Sequence, residues 1–326
     1  MKEEDIRPFS LFDEYLKLAQ EDCKSFFNSE AKIDFNCPIH PEIRGSSIFS
    51  KNGFNYKKCT KCESVYVSPR HKSEDYELFY LKGKSVEFWS KEFYKETEKV
   101  RKEKLWEPKV RELIRNPLLQ KKFQDYSVID IGGGFGIFAE TIVNKNPKRV
   151  IVIEPNKKLA DICRRKGIKV IEKFFCDIEI NDIPKSSKIF TSFELLEHLY
   201  NPREFLLKVK NLMHKGDILY MTTLTSSGLD IKTLGKNSNA VTPPHHINFF
   251  SVNGINEFLK KEGFEEVEIT TPGKLDFDII KKNKKFLKES FLLDLINKFS
   301  EESIEKLQIL LAENKMSSHM LINARL

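Results

Sequence analysis

The residues with the clearest chemical potential lie in VIDIGGGFGIFAE, where an apolar run carries Asp130 into a cluster of glycines. A strand, a tight glycine turn and the start of a helix bring bare backbone close to a ligand. The spacing discriminates between ligands, because a dinucleotide fingerprint GxGxxG aligned on Gly132 and Gly134 needs a third glycine where this sequence has Ile137. The stretch instead fits DxGxGxG, which begins at Asp130 and ends at Gly136.

Two further carboxylates follow at positions that suit a nucleoside ligand. Glu154 ends the next apolar run, RVIVIEP, and a carboxylate there can accept hydrogen bonds from the two neighbouring hydroxyls of a ribose. Asp177 and Ile178 lie in FFCDIEI, after a third short run. The position of Glu154 predicts a contact with a ribose but does not distinguish between cofactors that contain one. Asp177 alone is equally compatible with a nucleoside contact and with a solvent-exposed loop.

Histidines and glutamates gather in two segments farther along the chain. SFELLEHLYNPREFL carries Glu194, Glu197 and His198, and PPHHINFFS carries His245 and His246. A neutral imidazole has a pKa near working pH and can take a proton from a hydroxyl acceptor. His245 or His246 is therefore the leading candidate for a general base, with His198 as a third. The alternative, that these side chains brace their loops by hydrogen bonds, stays open.

Four potential metal ligands lie upstream. CPIH supplies Cys37 and His40, and CTKC supplies Cys59 and Cys62, with 18 residues between the two pairs. Four soft ligands in two knuckles suit the tetrahedral coordination of structural zinc, which leaves no open position for catalysis. The six cysteines of the chain have no even spacing, which favours metal binding over a disulfide framework.

The elements that must position these residues alternate from Tyr126 onward. Short apolar runs are followed by amphipathic helices, the pattern of a parallel sheet built from strand–helix–strand crossovers. Seven strands are predicted, in YSVIDIG, RVIVIEP, KVIEKF, SKIFTSF, DILYMTTL, EEVEIT and SHMLINAR. The segment between the fifth strand and PPHHINFFS is too long for a minimal turn, and we expect a lid or an acceptor-binding loop there.

The glycine stretch with its leading acid, and the EHLYNP segment, resemble the class I methyltransferases that use S-adenosylmethionine, whose first motif is an acidic residue followed by GxGxG. The resemblance implies an α/β fold, a Rossmann-like seven-stranded sheet with helices on both faces. It implies a cofactor site lined by Asp130, Gly132, Gly134, Gly136, Glu154, Asp177, Ile178 and Glu194. In such enzymes the acidic residue supports the ammonium group of the cofactor, because a cation needs a carboxylate where a pyrophosphate does not.

The cysteine segment resembles the zinc-ribbon-like module that precedes the methyltransferase domain in a group of bacterial enzymes, including sugar C-methyltransferases. VYVSPR, with Tyr66 and Pro69, follows the second ligand pair as in those proteins. His40 stands where the usual ligand is a cysteine, a substitution that zinc tolerates. The resemblance implies a structural zinc ion and a small polar acceptor, such as a sugar or a precursor of a surface polysaccharide.

Composition bounds the location and the partners. The net charge is +7, but the lysines are scattered, as in KKNKKFLK at 281–288, rather than interleaved with aromatic residues along one stripe. We therefore expect a solvated surface, and nucleic acid is not the expected partner. No run approaches the roughly 18 to 20 apolar residues of a membrane span, and the start, MKEEDIRPFS, lacks a secretion pattern. A cytoplasmic protein without membrane insertion is expected.

Three regions are predicted along the chain. Residues 1–72 hold an N-terminal helix and the zinc module, and residues 73–120 form a helical linker that covers the cofactor. Residues 121–326 form the methyltransferase domain, with a lysine-rich helical insertion at about 276–315 before the last strand.

The acceptor, the atom that is methylated and the oligomeric state are left open by the sequence. One alternative is a ubiquinone-type or natural-product O-methyltransferase, which needs a wide apolar pocket. Alternatives of another class are an RNA-binding modification protein, in which the zinc module grips a phosphate backbone, and a catalytically silent scaffold that keeps only the fold.

Overall fold

The chain begins with helices that lead into a small antiparallel sheet. A computed structural model describes residues 2–287 and 290–326. The elements of this first part are α1 (Glu3–Ile6), α2 (Phe9–Phe26), β1 (Ser46–Lys51), β2 (Phe54–Lys58) and β3 (Val65–Val67). Asn52 and Gly53, both with positive φ, make the two-residue turn between β1 and β2, as is usual for an Asn-Gly hairpin.

A run of helices connects this part to the larger domain. Its α-helices are α3 (Ser73–Lys82), α4 (Lys84–Phe88), α5 (Tyr94–Arg101) and α6 (Glu107–Ile114). Wider, π-helical turns at Trp89–Phe93 and Lys102–Trp106 join α4 to α5 and α5 to α6. Single π-helical turns of this kind occur frequently at functional sites.

The larger domain is built on a seven-stranded sheet. The remaining strands of the chain are β4 (Ser127–Ile131), β5 (Arg149–Ile153), β6 (Lys169–Ile171), β7 (Lys188–Phe193), β8 (Ile218–Leu224), β9 (Asn248–Phe249), β10 (Glu266–Thr270) and β11 (His319–Arg325). All except β9 belong to the sheet, in the order β10-β11-β8-β7-β4-β5-β6. β11 runs antiparallel to the other six strands of this sheet. The seven predicted strands and the Rossmann-like α/β fold are confirmed.

Alternate residues of the central strands face two separate layers of core. Ile129 on β4 and Phe190 on β7 pack on one side, whereas their neighbours Val128 and Ile189 pack on the other. Because helices cover both faces, the strands are buried throughout and their sequences are continuous apolar runs.

Helices return the chain between the strands. They are α7 (Ile137–Val143), α8 (Lys157–Arg165), α9 (Pro202–Leu212), α10 (Leu229–Leu234), α11 (Val252–Lys261), α12 (Asp276–Lys282), α13 (Ser290–Lys298) and α14 (Glu301–Glu313). Side-chain oxygens of Asn156, Asn201 and Ser251 accept hydrogen bonds from the first-turn amides of α8, α9 and α11. Gly263, with φ of 90°, follows α11 in the left-handed conformation that ends helices.

The small sheet is completed by a strand of the larger domain. Its order is β1-β2-β3-β9, and Tyr66 of β3 pairs with Asn248 of β9. Arg70, fully buried just after β3, donates to the carbonyl of Tyr200 and to Oδ1 of Asn248, and its guanidinium lies 3.7 Å from the centre of the Phe35 ring. The N-terminal part is therefore joined to the larger domain by main-chain pairing and by a buried cation.

Two features lie after β8. The segment predicted as a lid or an acceptor-binding loop contains α10 and ends in β9, so part of it is regular secondary structure. The helical insertion before the last strand is confirmed as α12, α13 and α14, although residues 288 and 289 of the predicted span lie outside the described residues. Among the helices described, none is both long enough and apolar enough to cross a bilayer.

Candidate active site and metal centre

The glycine stretch forms the bend between β4 and α7. Gly132, Gly134 and Gly136 have φ values of 69°, 55° and 68°, in the left-handed region that glycine adopts most readily. A Cβ atom at Gly134 would meet nothing within 4 Å, whereas one at Gly133 would lie 2.8 Å from Oδ2 of Asp130. The bend therefore exposes open backbone at Gly134 while its inner side is held against Asp130.

Asp130 lies at the end of β4 and is 2% exposed. Oγ1 of Thr191, on neighbouring β7, donates a hydrogen bond to its Oδ1 at 2.9 Å. Burial raises the pKa of Asp130 to about 7; the Thr191 hydrogen bond opposes this shift, and the carboxylate of Glu154 adds to it. A cationic ligand beside this carboxyl group would favour its ionised form, so the donor set suits an ammonium group.

Glu154 ties the glycine bend to the start of α8. Its Oε2 accepts from the amide of Gly134 at 3.0 Å, and its Oε1 accepts from the amide of Asn156 at 2.9 Å. Burial raises the pKa of Glu154, and these two hydrogen bonds oppose the shift. A carboxylate offers about four acceptor positions, so two ribose hydroxyls can still be accommodated beside the amides. Its ribose contact stays a prediction.

Asp177 and Ile178 lie in the turn that follows β6, at the same carboxyl edge of the sheet. Ile178 is fully buried in the core beneath that edge. Asp177 is exposed, and the one hydrogen bond that its side chain makes among the described residues joins it to Sγ of Cys176 at 3.6 Å. Their contact with adenine stays a prediction.

The helical connector places aromatic rings beside the glycine bend. Tyr94 of α5 stacks on Phe135 of the bend with ring centroids 4.6 Å apart, and Trp89 stacks on Phe93 at 4.1 Å. The guanidinium of Arg101 lies 5.2 Å from the centre of the Tyr94 ring. These side chains were not predicted from the sequence, although the density of aromatic residues in SVEFWSKEFY is a signal for them.

Glu194 follows β7 with φ of 52°, a backbone conformation that non-glycine residues rarely adopt and that is common at functional sites. Its Oε1 accepts from Oγ1 of Thr222 at 2.7 Å and lies 3.5 Å from Nδ1 of His319. Desolvation favours a raised pKa for Glu194, but the charges of His319 and Lys109 outweigh it and lower that pKa to about 2. Glu194 therefore presents an ionised carboxylate at the edge of the sheet.

Glu197 lies one turn farther along and is fully buried. Its Oε2 accepts from Oγ1 of Thr223 on β8 at 2.8 Å, whereas its Oε1 has no hydrogen-bond partner in the described part of the chain. Burial and the neighbouring Glu194 carboxylate raise the pKa of Glu197 well above its usual range.

His198 and His246 lie close to Glu197, with their ring centroids 4.8 Å apart. Nδ1 of His198 is 2.9 Å from the carbonyl oxygen of His245, and Nδ1 of His246 is 2.6 Å from that of Ala240. Burial lowers the pKa of His198 to about 4 and that of His246 to about 3. Both rings are therefore neutral at pH 7.

His245 makes a different set of contacts. Its Nε2 lies 2.8 Å from Oγ of Ser85, which in turn donates to Oδ2 of Asp22 at 2.5 Å. Its ring packs against Phe79 and Tyr15, with centroids 4.8 Å and 5.1 Å away. These contacts join the loop before β9 to α2 and α4, which supports the bracing alternative for His245 more strongly than for His246.

The four ligands predicted for zinc are brought together and are all buried. Their ligand atoms all lie within 4.8 Å of one another; the residues are Cys37, His40, Cys59 and Cys62. The Sγ atoms of Cys37 and Cys62 are 3.6 Å apart, and Sγ of Cys59 is 3.9 Å from Nδ1 of His40. Two bonds to one tetrahedral zinc ion place sulfur ligands about 3.8 Å apart, so the donor set fits that ion.

A carboxylate outside this cluster orients its histidine. Oε1 of Glu257, on α11, lies 3.0 Å from Nε2 of His40. An Nε2–H donated to this carboxylate leaves the lone pair on Nδ1, which faces Cys59, the arrangement of carboxylate, histidine and metal found around bound zinc. Glu257 was not predicted from the sequence, because it is 217 residues from His40 along the chain.

An open glycine bend led by a buried carboxyl group, at the carboxyl edge of a Rossmann-like sheet, is the arrangement with which α/β enzymes bind nucleosides. The model of a methyltransferase domain family matches residues 102–269, more than half of the chain. The chain belongs to this family and is a class I S-adenosylmethionine-dependent methyltransferase.

Individual relatives are more distant. A stretch of 50 residues is 44% identical to "Ribosomal RNA small subunit methyltransferase A" of Ehrlichia chaffeensis, and the same identity holds for that protein of Ehrlichia canis. The match covers 15% of this chain and spans only 18% of the length of these relatives.

Similar solved structures include two methyltransferases. One is an S-adenosylmethionine-dependent methyltransferase from Archaeoglobus fulgidus, 19% identical with a TM-score of 0.49, over 72% of this chain and 100% of that chain. The other is the plantazolicin methyltransferase BpumL in complex with S-adenosylhomocysteine, 12% identical with a TM-score of 0.49, over 77% of this chain and 93% of that chain.

Proposed function

We propose that the chain transfers the methyl group of S-adenosylmethionine to a small polar acceptor, which binds between the carboxyl edge of the sheet and the helices α4 and α5. The observation that carries this proposal is the glycine bend, whose open backbone at Gly134 lies beside the buried carboxyl group of Asp130. When bound, S-adenosylmethionine supplies a methyl group activated by a sulfonium.

The chain's own residues hold the cofactor in this proposal. Asp130 pairs with the ammonium group, and Glu154, already oriented by two amides, accepts the ribose hydroxyls. Asp177 and Ile178 border the adenine after β6. The stacked rings of Tyr94 and Phe135 exclude water from the bend, which strengthens the charge pairing at Asp130.

The acceptor meets polar groups on the sheet side. The Glu194 carboxylate and the neutral rings of His198 and His246 offer hydrogen-bond acceptors that suit hydroxyl groups, which supports a sugar or another hydroxyl-rich molecule. Where no metal ion is bound, His246 is the preferred general base, because its Nδ1 is directed at a carbonyl and its Nε2 is left to accept a proton. A wide apolar acceptor of the ubiquinone type would meet this polar wall at a cost in desolvation.

The cysteine cluster has a structural role in this proposal. Four protein ligands complete a tetrahedral zinc ion, so no position is open for an acceptor. The ion would fix the segment from Cys37 to Cys62 against α11, which carries Glu257.

Calorimetry with S-adenosylmethionine tests the cofactor site. The unchanged protein should bind it, and Asp130→Ala should abolish most of that binding, whereas Asp125→Ala, which removes an exposed acid just before β4, should not. An unchanged protein without binding, or an Asp130→Ala protein that binds equally well, would contradict the proposal.

The acceptor is tested by comparing metabolites and surface glycans of cells with and without the gene, with the transferred methyl group labelled. A labelled sugar or small metabolite supports the proposal. The relatives from Ehrlichia are named for ribosomal RNA. Label recovered in RNA, together with RNA binding that falls steeply with salt, would replace the small acceptor by a nucleic acid.

A further inference from the structure

We propose that Glu197, His198 and His246 form a second metal site, which binds a first-row divalent cation such as Mn²⁺ or Zn²⁺. One ligand atom of each residue lies within 4.8 Å of the others, and none of the three belongs to the cysteine cluster. The site lies after β7, next to the strand that leads into the glycine bend.

The hydrogen bonds of the two histidines fix the atoms that face the cation. In each ring Nδ1 approaches a backbone carbonyl, at 2.9 Å in His198 and at 2.6 Å in His246. A carbonyl can only accept, so Nδ1 carries the proton and Nε2 keeps its lone pair. For His246 the hydrogen bond found among the described residues engages Nδ1 alone, whereas the His198 ring also lies near the backbone of Glu194. A carbonyl behind each imidazole is the support that metal-bound histidines usually have.

Glu197 supplies a carboxyl group that loses its proton when a cation binds. It is fully buried, and its Oε1 has no hydrogen-bond partner in the part of the chain that is described. No lysine or arginine of the described residues forms an ion pair with it, and the nearby Glu194 carboxylate opposes its ionisation. A buried oxygen without a hydrogen-bond partner is costly, and a cation between Glu197 and the two imidazoles would give Oε1 a ligand contact and favour the ionised carboxylate.

The types of the three ligands indicate which cations the site would bind, and their exposure indicates whether other molecules could also coordinate the cation. Two imidazoles and a carboxylate suit Mn²⁺, Fe²⁺, Co²⁺ or Zn²⁺ better than Mg²⁺ or Ca²⁺, which prefer oxygen ligands alone. His198 and His246 are only half-buried, so three protein ligands leave open positions for water or for an acceptor oxygen. Such use by an acceptor rests on the proposed methyl transfer, whereas metal binding itself does not.

The test uses the full chain with its zinc content measured first, because the cysteine cluster should retain thiophilic zinc. The protein is titrated with MnCl₂, and free Mn²⁺ is followed by electron paramagnetic resonance. We expect saturable binding, with ¹⁴N coupling from imidazole ligands in pulsed spectra. Glu197→Gln and His246→Asn should each weaken binding at least about tenfold, a loss that outer-shell changes alone can produce. His214→Ala removes an exposed histidine and should leave Mn²⁺ binding unchanged.

Several results would overturn the second metal site. These are the absence of saturable Mn²⁺ or Zn²⁺ binding beyond the cysteine cluster, Mn²⁺ binding without nitrogen coupling, and binding that survives both substitutions in folded protein. If either variant fails to fold, His198→Asn replaces it, and the ¹⁴N measurement needs no variant. Calorimetry with S-adenosylmethionine on the same samples separates the two proposals, because a protein that binds Mn²⁺ but not the cofactor contradicts only the proposed methyl transfer.

Discussion

Thr191 and Asp130 lie opposite each other on the neighbouring parallel strands β7 and β4, and Oγ1 of Thr191 donates to Oδ1 of Asp130 at 2.9 Å. This is the one side-chain hydrogen bond that reaches the Asp130 carboxyl group within the described residues. It opposes the effect of burial, which raises the pKa of Asp130 to about 7. Asp130, the group that would hold the cofactor's ammonium, therefore changes between its protonated and ionised forms near neutral pH.

Cofactor binding should depend on pH through Asp130. A cation binds the ionised carboxylate, so the affinity for S-adenosylmethionine should rise as the pH increases through about 7 and level off above it. The groups that face Asp130 include Glu154, whose charge adds to the shift, and Tyr94, which stays neutral in this range. Calorimetry across this range measures the effect, and in Asp130→Asn the remaining affinity should be nearly constant with pH.

The stability of the unliganded protein should change in the opposite direction. The folded-state pKa of Asp130 lies above its usual value, so the stability that this group contributes is present at low pH and is lost as the pH rises through about 7. Thermal unfolding with and without S-adenosylmethionine checks the sign. Stabilisation by the cofactor that shrinks as the pH rises would contradict this linkage.

Thr191→Val should move the pH midpoint of cofactor binding upward. The substitution keeps the shape of the side chain but removes the hydroxyl that opposes the raised pKa of Asp130. The affinity at pH 7 should fall, whereas affinity well above the new midpoint should approach that of the unchanged protein. Thr191→Ser is the matched control because it retains the hydroxyl, and a midpoint that is the same in the two variants would rule out the hydrogen bond as the cause.

Zinc content should follow the cysteine cluster. Elemental analysis of the purified protein should give about one zinc ion per chain from this site. Cys59→Ser should lose that zinc, because Cys59 is buried and lies against Nδ1 of His40, whereas Cys176→Ser, at an exposed cysteine, should keep it. Zinc that persists in Cys59→Ser but is lost in Cys176→Ser would show that the cysteine cluster is not the zinc site.

The sheet could be predicted from the sequence because each strand is specified by a short run of neighbouring residues. Strands of a parallel sheet that is covered on both faces are continuous apolar runs, such as SVIDI in β4 and ILYMTTL in β8. The glycine bend is equally local, since positive φ at Gly132, Gly134 and Gly136 belongs to one short segment. Both could be predicted without knowledge of any distant contact.

The partners of the site residues could not be predicted, because they come from far along the chain. Thr191 is 61 residues from Asp130, and Ser85, which contacts the His245 ring, is 160 residues away from it. Pattern and spacing place a histidine in a loop but do not show which nitrogen is engaged. The positive φ of Glu194 is likewise invisible in the sequence, since nothing in the residue type demands it.

Lys188 and Asp217 form a buried ion pair at the amino edge of the sheet, where β7 and β8 begin, and the pair should contribute to stability. Nζ of Lys188 lies 2.8 Å from Oδ2 of Asp217, and both side chains are almost completely inaccessible. Lys188→Met should lower the free energy of unfolding by about 3 to 5 kcal/mol, because it leaves a buried carboxylate without its counter-charge. Denaturant unfolding followed by circular dichroism measures the change.

The double variant Lys188→Met with Asp217→Asn isolates the cause of that loss. Asp217 also accepts from the backbone amides of Lys188 and His214, at 2.7 Å and 2.8 Å, and an asparagine oxygen can replace part of this role without carrying charge. The double variant should therefore be more stable than Lys188→Met alone. A double variant that is less stable than the single one would show that the hydrogen bonds of Asp217 to these amides, and not its unpaired charge, account for the loss.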